Sequence, residues 1–138
     1  ECLPYAHRLQ DGGARNAIVA CGGIGSLLLD EYGPEHIVPL AKVKLVNATG
    51  AGDSMVAGFL ASTTRGFDYE TSLIYAGACG TATAASKGIA KRATIDRVVT
   101  ALYKKMGREM PAAIADQIKA NAVKQEASAA KQEANAAE

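Results

Sequence analysis

The hydrophobic positions of this chain change their spacing near residue 50. Before that point, short apolar runs predict β-strands, and these runs are NAIVAC (16–21), SLLLD (26–30), HIVPL (36–40) and KVKLV (42–46). An amphipathic helix precedes them and stops at the glycine pair 12–13, with Leu3, Ala6 and Leu9 on its apolar face. Because the chain begins inside this helical pattern and without methionine, we expect it to belong to a longer protein.

After residue 50 the apolar residues recur at helical intervals. We predict one helix from 54 to about 65 and a second from 69 to about 86. A third helix runs to Met106, and Thr94 is predicted as its N-terminal cap. Strands followed by helices, with glycine-rich turns between them, are typical of an α/β fold.

The last segment, residues 108–138, differs in composition from the rest. It is mostly Ala, Lys, Gln and Glu, and its bulky apolar residues are Ile114, Ile118 and Val123. Alanine favours helix, but three apolar anchors bury little surface, so we predict a tail that is helical or disordered, exposed to solvent and of little importance for stability. A partner-binding or coiled-coil helix is the alternative, although no heptad pattern is sustained.

Composition narrows the class of protein. A net charge of +1 over 138 residues, with 49% hydrophobic and 21% charged residues, fits one soluble domain, and evenly mixed charges argue against nucleic-acid or membrane partners. The charged start is unlike a signal peptide and no run reaches the roughly 18 apolar residues of a membrane span, so we expect a cytoplasmic protein. Cys2, Cys21 and Cys79 share no C-x-x-C spacing and are expected to be reduced thiols, with Cys21 and Cys79 as small buried residues.

The stretch VNATGAGDSMVAGFL (46–60) contains candidate residues for phosphate binding and catalysis. It places Ala51, Gly52 and Asp53 on the first turn of a helix, where amides without helical partners and the helix dipole favour a phosphate. A carboxylate there would repel the phosphate unless it accepts a proton from an alcohol that attacks phosphorus. The alternative is a simple helix cap. A Walker A loop is excluded because no Gly-Lys-Ser/Thr occurs, and a dinucleotide fingerprint is excluded because Met55 replaces its third glycine.

The same stretch resembles the second signature of the ribokinase-like PfkB carbohydrate kinases. ACGGIGSLLLD (20–30) resembles the strand, turn and strand that precede this signature, and GACGTATAASKG (77–88) resembles the nucleotide-side helix. The likeness covers about residues 1–107 and is greatest to the family's phosphosugar kinases, such as those for fructose 1-phosphate and tagatose 6-phosphate. It implies the C-terminal half of a ribokinase-like, Rossmann-like doubly wound α/β fold, here followed by an alanine-rich helix.

The resemblance also implies roles for particular residues. Asp53 stands where the family has its catalytic base, and the anion hole for the transferred phosphoryl group is assigned to Gly50, Ala51, Gly52 and the Asp53 amide. The ATP site is assigned to the turn near the phosphates and to one residue at the adenine end, namely Gly22, Gly23, Ile24, Gly25 and Ser86. The implied substrates are ATP with Mg²⁺ and a sugar phosphate, foremost fructose 1-phosphate, and a homodimer is expected for the full enzyme.

Several features depart from the family pattern. Ala20 and Ala48 replace residues that usually carry hydroxyls near the nucleotide, so nucleotide binding is expected to be weak. The sugar-binding residues, the β lid and the Asn-x-x-Glu motif associated with magnesium belong to the family's first half, and no Asn-x-x-Glu occurs here. The alternative is therefore a non-catalytic remnant that acts as a nucleotide-binding or assembly module. A longer reading frame upstream would favour the kinase.

Overall fold

Three strands and five helices make up the part of the chain that the computed structural model describes, residues 2–137. In chain order these are α1 (Leu3–Asp11), β1 (Ala17–Ala20), β2 (Gly25–Leu29), β3 (Glu35–Pro39), α2 (Ala51–Thr63), α3 (Tyr69–Ala84), α4 (Arg92–Met106) and α5 (Ala112–Ala136). A short 3₁₀ turn, Gly22–Ile24, joins β1 to β2. None of the described helices is both long enough and apolar enough to cross a membrane.

The sheet is small, and both of its strand pairs are antiparallel, with β2 in the centre. Because side chains alternate along a strand, β2 supplies two separate cores. Leu28 faces α2, α3 and α4 in the main core, whereas Leu27 and Leu29 pack with Ala6 and Ala17 beneath α1. The predicted α/β class is confirmed, with helices on both faces of the sheet, although the described strands form no parallel pair.

The predicted strand at 42–46 is wrong, because this segment has no regular structure. The amides of Val46 and Asn47 donate to the carbonyl of Ala84, at 2.8 and 3.0 Å, where α3 ends. The last carbonyls of a helix have no partner within the helix, so they can accept such bonds. The segment's backbone is therefore held by a helix end, and the side chains of Leu45 and Val46 stay exposed.

Helices α2 and α3 pack closely because glycine lies at their contacts. A Cβ atom on Gly80 would lie 2.4 Å from Cγ of Met55, and one on Gly58 would lie 2.8 Å from Sγ of Cys79. Neither distance is tolerable for a carbon atom in a packed core, so both positions require the absence of a side chain. This close packing fixes where α2 begins relative to the sheet.

The predicted cap of α4 is also wrong. The helix begins at Arg92, its N-cap is Lys91 without a side-chain hydrogen bond, and Thr94 lies inside the first turn. Asp96 is instead a buried carboxylate that accepts hydrogen bonds from Arg92 Nε at 2.9 Å and from Asn121 Nδ2 at 3.0 Å. The residue that does cap a helix is Asp68, whose Oδ1 accepts from the Thr71 amide at 2.7 Å.

Most of the tail forms one continuous helix, Ala112–Ala136, but the expectation that all of it is solvent-exposed is wrong. Ile114 is only 4% exposed and belongs to the main core, and Ile118 packs against that core. Asn121 reaches Asp96 on α4. From residue 122 onward every described residue of the helix is exposed, so only its first part supports the fold.

Two truncations are expected to separate these parts of α5. Ending the chain after 122 should change the melting temperature by no more than about 2 °C, because only exposed residues are lost. Ending it after 111 should lower the free energy of unfolding by about 2–5 kcal/mol, the usual cost of emptying a buried isoleucine site. It also leaves the buried Asp96 without Asn121. Thermal unfolding followed by circular dichroism measures both, and equal melting temperatures would show that Ile114 contributes nothing.

The pair Asp30–His36 is expected to make stability fall in acid. Burial raises the pKa of Asp30, but hydrogen bonds from His36 and the Tyr32 amide outweigh burial and leave this pKa lowered. The stabilisation is therefore complete above the unfolded pKa of about 3.9 and is lost as the pH falls through the lower folded value. We expect Asp30→Asn to flatten this part of the pH profile in urea titrations. An unchanged acid slope would contradict the assignment.

Candidate active site

The start of α2 presents unpaired backbone amides. Its N-cap, Gly50, has φ +82°, a left-handed conformation that glycine adopts without strain. The Ala51 amide donates to the Ala48 carbonyl at 3.1 Å. Within residues 2–137 the amides of Gly50, Gly52 and Asp53 donate no hydrogen bond. Three of the four predicted anion-hole amides are therefore free to bind an anion, and the fourth, on Ala51, is occupied.

The glycine turn between β1 and β2 presents two more free amides. Cys21 closes this turn, because its amide donates to the Gly25 carbonyl at 2.8 Å and its carbonyl accepts from the Ile24 amide at 3.2 Å. Among the described residues, the amides of Gly22 and Gly23 have no acceptor. Ile24 projects away from the protein and is 78% exposed, so only its backbone shapes the turn.

One cavity of about 420 Å³ joins the turn to the start of α2. Volumes in this range are typical of small-molecule sites. Of the predicted site residues, Gly22, Gly23, Gly25 and Ala51 line it, and Ala20 and Ala48 do so as well. The rest of the wall comes from four regions, the end of the sheet, the 43–45 segment, α2 and α3, through Ser26, Pro39, Leu40, Val43, Leu45, Met55, Gly77, Gly80, Thr81 and Ala84. No charged side chain of residues 2–137 lines the cavity, so recognition of a charged ligand falls to the backbone amides.

Asp53 lies on the first turn of α2 but outside this cavity, and it is exposed. Its carboxylate has no hydrogen bond or ion pair with any residue that the structure describes. In particular, α2 has no side-chain capping bond, so the capping interpretation gains no support from the geometry. The carboxylate is open to a molecule that arrives from solvent.

A buried hydroxyl holds the site's helices together, and no pattern in the sequence indicates it. Thr83 is 1% exposed, and its Oγ1 lies 2.9 Å from Oγ of Ser54 and accepts from the Ala90 amide at 3.3 Å. It thus joins the first turn of α2 to α3 and to the 85–91 loop. A Cβ on Gly50 would lie at an ordinary van der Waals distance, 4.0 Å, from Thr83 Cγ2, so the positive φ rather than crowding favours glycine there.

Ser86 lies apart from the other predicted nucleotide contacts. Its Oγ donates to the Ala82 carbonyl at 2.8 Å, and it lines a neighbouring cleft of about 480 Å³ with Lys42, Lys44 and Arg97. Val43 borders both this cleft and the cavity. Ser86 is therefore separated from the glycine turn by the 42–46 segment.

Comparison with known proteins adds to this geometry. The model of the pfkB family of carbohydrate kinases matches residues 1–95, which include the glycine turn, the start of α2 and all of α3. The chain belongs to the pfkB family. Helix α5 lies beyond the matched residues.

Individual members of the pfkB family are also similar to this chain in sequence and structure. The chain is 39% identical over 87 residues to the 1-phosphofructokinase of Bacillus subtilis, an alignment that spans 63% of this chain and 28% of the relative. A provisionally named phosphofructokinase structure from Staphylococcus aureus superposes with a TM-score of 0.66 at 36% identity, covering 71% of this chain and 32% of that one. The ribokinase of Thermotoga maritima superposes with a TM-score of 0.63 at 26% identity, covering 70% of this chain and 34% of that one. The chain thus spans about a third of its relatives, and the fold is ribokinase-like.

The resemblance of this pfkB chain implies Mg²⁺, and the predicted site offers it one carboxylate. Magnesium in kinases is usually held by one or two carboxylates together with phosphate oxygens. Among residues 2–137 no group of three potential ligands comes together, and Asp53 is the one acid of the predicted site. The described residues therefore form no complete Mg²⁺ site, and Asp53 could contribute to one only together with phosphate oxygens.

Proposed function

We propose that this chain carries the phosphoryl-transfer centre of an ATP-dependent sugar-phosphate kinase. Two sets of unpaired amides, one on the glycine turn and one at the start of α2, lie beside the same cavity, and this observation supports the proposal most directly. Amides without protein partners at a helix start suit phosphate oxygens. An unpaired carboxylate on the same turn suits the removal of a proton.

In this proposal the amides of Gly50, Gly52 and Asp53 bind oxygens of the transferred phosphoryl group. Hydrogen-bond donors that are already in place around the transferred group are a main means by which proteins stabilise phosphoryl transfer. The carboxylate of Asp53 accepts the proton of the attacking sugar hydroxyl. Its lack of protein partners supports this role, because no hydrogen bond must break before it acts.

The nucleotide is proposed to occupy the cavity. Its phosphates would meet the free amides of Gly22 and Gly23, and its base would enter the apolar part near Val43 and Ala84. Ser86 is retained as an adenine-end residue only as part of the proposal, since it lines the neighbouring cleft. The protein is proposed to act in the cytoplasm.

The acceptor is proposed to be fructose 1-phosphate, on the likeness to the Bacillus subtilis relative. We propose that the sugar contacts come from the part of the relatives that this chain does not span, and that residues 1–138 alone do not phosphorylate sugars. The contrasting function, a nucleotide-binding or assembly module without catalysis, is supported by Ala20 and Ala48 in the cavity wall.

A chimera tests the proposed function. Residues 1–95 replace the corresponding segment of the Bacillus subtilis 1-phosphofructokinase, and ATP-dependent phosphorylation of fructose 1-phosphate is measured. We expect turnover within about tenfold of the parent enzyme, which corresponds to about 1.4 kcal/mol in the barrier. A chimera that unfolds cooperatively but shows no turnover would favour the non-catalytic module.

The 138-residue chain is expected to bind ATP only weakly, with a dissociation constant near the millimolar range. The double variant Ala20→Ser, Ala48→Thr should bind about tenfold or more tightly, because each hydroxyl can add a hydrogen bond to a charged phosphate. Isothermal titration calorimetry measures both, with Ala57→Ser on the exposed face of α2 as the matched control. Micromolar binding by the unmodified chain, or no gain in the double variant, would contradict this account of the cavity.

A further inference from the structure

Two of the three cysteines meet beneath α1. Cys2 and Cys21 are half-buried, and both pack against the small core formed by Ala6, Ala17, Leu27 and Leu29. The Cys2 thiol contributes to the raised pKa of the Cys21 thiol. The two residues are 19 positions apart in sequence, and they come to the same small core because α1 folds back onto β1 and β2.

The position of Cys21 links this thiol pair to the candidate active site. Cys21 closes the glycine turn through its amide and carbonyl, and Gly22 and Gly23 line the cavity. Its thiol donates to the Val19 carbonyl at 3.6 Å. Cys2 is the N-cap of α1, and its carbonyl accepts from the amides of Tyr5 and Ala6. Both backbones are therefore held while both thiols lie against the same small core.

We propose that Cys2 and Cys21 form an intramolecular disulfide when the protein meets a small-molecule disulfide such as oxidised glutathione, and that this bond restrains the glycine turn at the cavity. Thiols held against the same small core need little backbone movement to reach disulfide geometry. Nothing in the phosphoryl-transfer mechanism uses either cysteine, so this inference is independent of the proposed function.

The chemistry is two successive thiol–disulfide exchanges. The Cys2 thiolate attacks oxidised glutathione, forms a mixed disulfide and releases one glutathione thiolate. Cys21 then loses its proton, attacks Sγ of Cys2 and displaces the second glutathione. In sum the two cysteines lose two electrons and two protons, and one oxidised glutathione becomes two reduced molecules.

The order of attack follows from the surroundings of Cys21. Burial, followed by the Cys2 thiol, raises the pKa of its thiol, so Cys21 is the slower nucleophile toward a molecule in solution. Its attack on the mixed disulfide is intramolecular and is favoured by proximity. Cys79 provides the internal comparison, because burial raises the pKa of its thiol to about 11 and it is buried between α2 and α3.

The full chain, first reduced, is incubated with oxidised glutathione and digested with trypsin without reduction. Trypsin separates the cysteines, since Cys2 lies in peptide 1–8, Cys21 in 16–42 and Cys79 in 66–87. We expect peptides 1–8 and 16–42 to be joined, a melting temperature raised by about 5 °C or more, and slower hydrogen exchange at residues 22–25. Cys79→Ser should behave like the unmodified chain.

Cys2→Ser and Cys21→Ser should each lose the linked peptide and the rise in melting temperature. The proposal is overturned if oxidation leaves only glutathione adducts, joins either cysteine to Cys79 or joins two chains. A linked peptide without slower exchange at residues 22–25 would overturn the restraint of the turn. These readouts do not depend on kinase activity, so they separate this inference from the proposed function.

Discussion

Gly25→Ala is expected to lower the free energy of unfolding of this protein by about 2–6 kcal/mol. Gly25 has φ +138°, and a Cβ atom there would lie 2.1 Å from the Val38 carbonyl oxygen and 2.9 Å from Cα of Pro39. Both neighbours are backbone atoms of β3, so no side chain can move aside. Conformational strain of about 1–3 kcal/mol adds to an overpacking cost of similar size. The free energy of unfolding of a typical domain is only about 5–15 kcal/mol, so this loss is a large part of it.

Gly23→Ala is the matched control, because it lies in the same turn, has no positive φ and offers open space in which a Cβ atom would meet nothing within 4 Å. Urea unfolding of both variants gives the free-energy difference directly. We expect Gly23→Ala to lie within about 0.5 kcal/mol of the unmodified chain. A Gly25→Ala variant with the same midpoint would show that β2 and β3 do not approach this closely.

The sequence predicts those elements whose signals are local. β1 and β2 are apolar runs on either side of a glycine turn, and α3 ends near a cluster of small and polar residues, so their existence follows from a few neighbouring positions. The candidate anion-binding start of α2 is local in the same sense, because the Gly50–Asp53 stretch sets both the left-handed N-cap and the free amides.

The features that the sequence could not reveal depend on distant contacts. The 42–46 segment has strand-like residues, but its neighbour is the end of α3, and β-propensity follows the packing partner. Thr83 meets Ser54 across 29 positions, and Ile114 finds its buried place only because α4 and α5 pack together. One apolar residue in an alanine-rich helix, Ile114, therefore contributes more to the stability of the fold than the composition of the helix suggests.

Asp53→Asn is expected to abolish most turnover of the chimera while leaving ATP binding nearly unchanged. The substitution preserves size and removes the negative charge together with the ability to accept a proton. General-base catalysis contributes about 10²- to 10⁴-fold, so kcat should fall by that factor with an unchanged dissociation constant for ATP. Because the carboxylate has no protein partner within the described residues, the loss cannot come from a broken structural bond within this chain. Steady-state kinetics and calorimetry together measure the two quantities.

Asp68→Asn is the matched control, since Asp68 caps α3 through the Thr71 amide and lies outside the candidate site. Asparagine caps a helix as well as aspartate does, so this variant should keep full turnover and nearly full stability. If Asp53 were only a favourable charge at a helix start, its replacement would cost about 0.3–1 kcal/mol of stability and leave turnover intact. Turnover of Asp53→Asn within about threefold of the unmodified chimera, a change of less than one kcal/mol in the barrier, would remove Asp53 from the mechanism. The free amides of Gly50, Gly52 and Asp53 would then be the contribution of this turn to phosphoryl transfer.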